Sequence, residues 1–224
     1  VLGDANVSCG PYTSLSITGD LTMNEGTANL SNASGSAVHG TIEGAVTVDG
    51  TGGTDAELDV EDVTVEVQGD FTRSGGSSGL VSSTESSELQ FTTNSDATFN
   101  VGNTSLKFDG DLVVDKEERT LAIENVVAVG GDITVSAPTV AGAPDNTLRL
   151  EDNLIIDGGA LTVNGVIEQA GNDDFLVFRN GGVISGQEPD GSSISIANLR
   201  VNDAIGGGSS DPTLKDHVNL QGDL

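Results

Sequence analysis

The chain is short of several things: it has one cysteine, one tyrosine, no tryptophan, five prolines and only 8 lysines and arginines in 224 residues. Each shortage excludes a class of explanation. The lone Cys9 forbids an internal disulfide and is read as a buried or tolerated thiol. His39 and His217, far apart and without cysteine partners, carry no zinc signature. Eight cations against 35 carboxylates give a formal net charge of −27. That is the wrong sign for nucleic acid, whose phosphates are bound by Lys and Arg, and for anionic membrane surfaces. No run approaches the ~18 consecutive apolar residues of a spanning helix, so no membrane insertion is expected. Six Phe and Tyr12 are too few for the aromatic platforms of sugar-binding clefts. There is no Gly-x-Ser-x-Gly elbow, and Gly206–Gly208 lack the Lys and the strand–helix context of a phosphate loop.

What is present is one recurring phrase: Leu106-Lys-Phe-Asp-Gly-Asp-Leu-Val-Val114, with apolar residues two apart on either side of a Gly-Asp step. It returns as Val127–Val135, as Leu15–Met23, as Val65–Arg73, and in looser form as Leu148–Ile156 and Ile42–Val48. The anchors at the Asp position are Asp20, Ala45, Asp70, Asp111, Asp132 and Asn153, with steps of 25, 25, 41, 21 and 21 between successive numbers. The step of 41 leaves room for a missing rung at Leu89-Gln-Phe91. A repeat of this size means stacked units.

Within the phrase Leu15, Ile17, Gly19, Leu21 and Met23 share one parity, so in a strand they face one side, and Asp20 faces the other. Gly19 is expected to face the core, its missing side chain letting the strand bend. No 3.6-residue period persists, so no long helix is expected. The pattern predicts an all-β fold: a parallel β-helix with coils of about 21–25 residues and two or three strands per turn. An antiparallel β-sandwich is the alternative, and the equal steps of 21 favour the solenoid. Residues 1–224 read as a single domain. Gly/Ser-rich stretches at 74–87, 141–146, 186–193 and 206–211 read as loop insertions. Val218–Leu224 restarts the phrase, and the chain does not begin with Met, so it is expected to be part of a longer or processed protein.

Stacked in register, Asp70, Asp111, Asp132 and Asn153 would form an outer ladder. Two readings follow: each carboxylate accepts backbone N–H groups at its bend, or Ca2+ bridges neighbouring rungs. No cofactor beyond that ion is expected. The cations (Arg73, Lys107, Lys116, Arg119, Arg149, Arg179, Arg200, Lys215) are scattered singly and read as solvated charges on strand faces or turns. Asn172-Asp173-Asp174 and His39-Gly40 resemble the paired carboxylates and His-Gly step of polygalacturonase-like hydrolases, but in reversed order and without an Arg-x-Lys clamp. Asp173-Asp174 is therefore read as a turn before a strand at Phe175–Phe178. Sequons at Asn6, Asn29, Asn32 and Asn103 permit glycosylation in an extracellular setting.

The phrases Gly-Asp-Leu-Thr-Met (19–23), Gly-Asp-Ile-Thr-Val (131–135) and Ala-Leu-Thr-Val-Asn-Gly (160–165) resemble the β-solenoid regions of secreted bacterial surface proteins and adhesins. The motifs are generic to that architecture and point to no single family. The resemblance implies a secreted or cell-surface, non-enzymatic scaffold: a filament, surface-layer or adhesin segment. Its partners would be further copies of itself or ligands on a host or cell surface. The alternatives are a β-helix carbohydrate-active enzyme and a ligand- or ice-binding module.

Overall fold

The computed structural model describes residues 7–8, 14–30, 38–52, 56–75, 79–92, 95–102, 106–116, 119–139, 145–202, 213–214 and 218–220. Among them there is no helix, and every strand pairing is parallel. That removes the antiparallel sandwich and establishes a β-solenoid. Three strands per coil build three faces. The first is a nine-stranded column: β2 (Ser14–Ile17), β5 (Val38–Ile42), β8 (Val63–Val67), β11 (Glu88–Thr92), β14 (Asp111–Asp115), β17 (Ile133–Val135), β20 (Ala160–Val163), β23 (Val183–Gly186) and β26 (Thr213–Leu214).

The second face runs through β3 (Leu21–Met23), β6 (Val46–Asp49), β9 (Phe71–Ser74), β12 (Ala97–Asn100), β15 (Thr120–Glu124), β18 (Thr147–Leu150) and β21 (Val166–Gln169), followed by the pair β24 (Ile194–Ile196) and β27 (Val218–Leu220). The third holds β1 (Val7–Ser8), β4 (Gly26–Asn29), β7 (Ala56–Asp59) and β10 (Gly79–Ser82). It continues in β13 (Leu106–Phe108), β16 (Val127–Val129), β19 (Leu154–Asp157), β22 (Leu176–Arg179) and β25 (Leu199–Asn202).

The core follows from the alternation. Inward positions stack in columns such as Leu89, Leu112, Ile133, Leu161 and Ile184, each 0–2% exposed. Branched and aromatic side chains suit a pleated, buried surface. Phe71 and Phe99, one coil apart, meet edge to face at 5.1 Å, and Phe91 lies 5.4 Å from Phe99. The expected rung at Leu89–Phe91 is present as β11, between β8 and β14.

Coil length varies more than expected. On the first face the step is 25 residues from Ser14 to His39 and from Val38 to Val63, 24 from Thr64 to Glu88 and 23 from Glu88 to Asp111. It is 21 from Leu112 to Ile133, 28 from Ile133 to Leu161, 23 from Ala160 to Val183 and 30 from Val183 to Thr213. The two long coils contain the Gly-rich stretches at 141–146, 186–193 and 206–211. The stretch 74–87, expected as an insertion, instead contains β10, paired with β7, and ends on buried Ser87.

The repeated phrase does not keep to one place. At Leu15–Met23, Ile42–Val48 and Val65–Arg73 it turns the corner from the first face to the second. At Leu106–Val114 and Val127–Val135 it turns from the third face to the first, and at Leu148–Ile156 from the second to the third. Leu112 does pair with Ile133, so the step from Asp111 to Asp132 is a true register step. The equal step to Asn153 is not, because Ile133 pairs with Leu161. The phrase is a strand–bend–strand unit that fits any corner.

Candidate functional site

A strand ladder pairs backbone groups regularly along its straight stretches; at a corner some amides need another acceptor. The anchor residues supply it. Asp20 Oδ1 accepts the N–H of Ala45 at 2.8 Å, the residue at the same position one coil on. Asp70 does the same for Thr98 (2.8 Å), Asp111 for Asp132 (2.7 Å), Asp132 for Ala160 (2.8 Å) and Asn153 for Phe175 (2.9 Å). Asp96, outside the phrase, does it for Thr120 at 3.0 Å. The ladder closes in the other direction through carbonyls: Leu21 N–H donates to Ala45 O at 2.9 Å, Leu112 to Asp132 O at 2.9 Å and Leu154 to Phe175 O at 3.0 Å. Each anchor therefore ties its coil to the next.

The corner glycine has a different role from the one expected. Gly19 is exposed, not core-facing, and a Cβ there would meet nothing within 4 Å. One coil further along a stack the same position is closed. A Cβ on Gly131 would overlap Asp111 Oδ1 and the carbonyl of Gly110, and one on Gly159 would overlap the carbonyl of Gly131. The constraint is axial: consecutive coils lie about 4.8 Å apart, and the corner backbone of one fills the space a side chain would need on the next.

The four residues considered for a cation ladder are divided among the three corners. Asp70 lies between the first and second faces, Asp111 and Asp132 between the third and first, and Asn153 between the second and third. Only Asp111 and Asp132 are brought together, in adjacent coils. Among the described residues no group of three or more His, Cys, Asp or Glu is placed to hold a metal ion. Asp173-Asp174 does form the expected turn, with Asp174 Oδ2 accepting the Gly171 N–H before β22. On the first face Glu66 is a hub, accepting from Thr92 Oγ1 at 2.7 Å, Gln68 Nε2 at 3.0 Å, Thr41 Oγ1 at 3.4 Å and lying 3.4 Å from His39 Nε2. Burial opposes ionisation of Glu66, but these hydrogen bonds hold its carboxyl below the ordinary value. Cys9, Lys215, His217, Asn6, Asn32 and Asn103 lie outside the described residues; Asn29 is the last residue of β4.

Two cations are not solvated charges. Arg73 is 6% exposed and Lys116 fully buried. Parity carried both signals. Arg73 follows inward Phe71 by two and takes the Met23 position of the phrase, while Lys116 follows inward Leu112 and Val114. Lys116 Nζ donates to Thr92 O at 3.1 Å. Its burial lowers the pKa to about 8, against the opposing fields of Asp96 and Asp70. Asn146, also buried, ties down the long coil by donating to Ser136 O at 3.0 Å and Ala137 O at 3.3 Å.

On the outer side of the same region lies a groove of about 230 Å3, lined by Asp70, Asp96, Ala97, Thr98, Thr120, Ala122 and Arg149. Its carboxylates already accept the amides of Thr98 and Thr120, and Arg149 pairs with Glu151 at 3.2 Å. Two carboxylates, two hydroxyls and a guanidinium over an alanine floor offer hydrogen bonds to a small polar ligand. Comparison with protein-family models, curated proteins and solved structures finds no match.

Two outcomes follow. Asp111→Ala leaves the Asp132 amide without its acceptor and should cost about 1 kcal/mol in urea denaturation. Asp111→Asn keeps an acceptor oxygen, as Asn153 does naturally, and should cost much less; equal losses would contradict the staple. For Lys116, a folded pKa of about 8 against an ordinary 10.5 means that the unfolded chain holds more protons between those values. Its contribution to stability must therefore rise with pH through that window. The stability difference between Lys116→Met and the parent should be most favourable to Met below pH 8 and shrink towards pH 10.5; a difference constant with pH would contradict it.

Proposed function

We propose that the chain is a structural scaffold of the cell exterior, a rod segment of a filament, surface layer or adhesin. The observation that carries this reading is the continuous stack itself: nine parallel strands on one face, a lumen closed by apolar side chains, and carboxylates on its outer surface. At about 4.8 Å per coil the first face is a rod roughly 38 Å long. Such a body resists bending because every interior coil is hydrogen-bonded to two others, and its strand edges template further strands. The acidity makes contact between rods sensitive to cations, Ca2+ among them.

The groove beside Asp70, Asp96 and Arg149 favours a second reading, a surface acting on or binding carbohydrate. For the ice-binding alternative, Thr22, Thr47 and Thr72 do stack in register, more order than the sequence pattern suggested. The column continues as Asn100 and Glu124, so it does not extend into a broad threonine plane.

Negative-stain electron microscopy of the purified chain at low and high salt, with and without Ca2+, tests the scaffold reading. Fibres or ordered arrays are expected. Compact, monodisperse particles in every condition, together with release of reducing sugar from polysaccharide, would overturn it in favour of the second.

A further inference from the structure

The exposed cations are unevenly placed. No described strand of the first face contains a lysine or arginine. On the third face Lys107, Arg179 and Arg200 all point outward and are exposed, on β13, β22 and β25. Asp157 is the one carboxylate on the five strands from β13 to β25. The earlier half of the same face is the opposite: β7 presents Glu57 and Asp59, and neither β4, β7 nor β10 has a cation. The two halves adjoin, since Ser83 Oγ, just after β10, accepts the Asp109 N–H just after β13 at 2.9 Å. Asp109, just after β13, pairs with Lys107 at 2.7 Å, and Asp157 lies one coil from Arg179 in register, so the excess positive charge of this half rests on Arg200 while Glu57 and Asp59 make the other end negative.

We propose that two copies of this chain associate side by side and antiparallel through their third faces. A two-fold axis at β16 sets β7 of one copy against β25 of the other, so Glu57 and Asp59 meet the partner copy's counterpart of Arg200. It also sets β13 against β19, where Lys107, already paired with Asp109 of its own chain at 2.7 Å, faces the Ile155 position. The contact between Glu57, Asp59 and Arg200 occurs twice, as an isologous interface requires. The residue at the axis is Ala128, small enough for close approach. Arg200 is already positioned, its guanidinium 4.0 Å above the Phe175 ring, so less side-chain freedom is lost on contact.

Magnitudes decide what kind of pairing this is. The outward apolar residues Ile155 and Val177 are only 7% and 4% exposed, so they add little buried area and charge carries the contact. At physiological salt the Debye length is about 8 Å, so the total charge of −27 is felt mostly through the groups at the interface. Seven strands from β7 to β25, each about 13 Å long, give a contact roughly 29 Å tall and on the order of 400 Å2 per copy. That is about half the usual share per partner, which makes the dimer weak and concentration-dependent.

The inference deepens the scaffold reading by naming a lateral contact. Sedimentation of the chain over a rising concentration series at physiological ionic strength should show a reversible monomer–dimer equilibrium. Arg200→Glu should weaken the dimer about tenfold or more. Adding Glu57→Arg and Asp59→Arg to it should restore the dimer, while Arg149→Glu on the second face should leave it unchanged; melting curves check that each variant folds. A chain monomeric throughout, a dimer indifferent to Arg200→Glu, or a charge swap without rescue would overturn the inference. Fibres seen by microscopy alongside any of those results would leave the scaffold reading standing and place the contact elsewhere.

Discussion

A parallel solenoid must satisfy its backbone hydrogen bonds between coils, because no strand in it has a partner within its own turn. Along the faces the ladder does this automatically. At the corners the chain bends, some amides still reach a carbonyl of the neighbouring coil about 4.8 Å away, as Gly131 N–H does to Gly110 O, but the amide at the anchor position does not and needs another acceptor. The acidic and amide side chains at those bends answer this need. Asp20, Asp70, Asp96, Asp111, Asp132 and Asn153 each reach one coil along the axis to an amide. The same short spacing excludes a Cβ at Gly131 and Gly159. Gly-Asp is therefore one device with two parts: the glycine permits close stacking, and the aspartate repairs the hydrogen bonding that the bend interrupts.

This gives part of the acidity a structural cause. An ionised carboxylate accepting a backbone N–H makes a stronger hydrogen bond than a neutral acceptor, and corners near solvent let water and salt screen its remaining charge. Stacked carboxylates such as Asp111 and Asp132 are tolerated because the carboxylate of Asp111 bonds the amide of Asp132. Five of the eight cations fall into two groups. Lys116 and Arg73 are drawn inside, the former bonded to Thr92 O, whereas Lys107, Arg179 and Arg200 gather on one half of one face.

The fold was legible because alternation and repeat length are direct consequences of a two-residue pleat and a stacked coil. The inward set Leu21, Met23, Leu112, Val114, Ile133 and Val135 was readable from parity alone, and all six are at most 4% exposed. Register was legible only in part: the steps from Asp20 to Ala45, from Ala45 to Asp70 and from Asp111 to Asp132 are register steps, and the other two are not. Leu148–Ile156 looks like the next copy of Val127–Val135, yet it turns a different corner, because a strand–bend–strand phrase says nothing about which two faces it joins. The proposed ladder of Asp70, Asp111, Asp132 and Asn153 inherited that ambiguity and is spread over three corners. The burial of Lys116 and Arg73 is legible in their inward parity, which outweighs the exposure that charge alone suggests. Asp96 had no such signal: it does the anchor's work without a preceding glycine.

Amide hydrogen exchange of the native chain tests the corner staple most directly. The amides of Ala45, Thr120, Asp132, Ala160 and Phe175 lie outside or at the ends of strands and that of Thr98 is second in β12, positions where an unbonded N–H would exchange quickly. If the anchor side chains hold them, these six should be protected to a degree comparable with strand amides such as those of Leu112 and Leu161. Exchange at the rate of open loops, with the strands still protected, would contradict the claim that these side chains join one coil to the next.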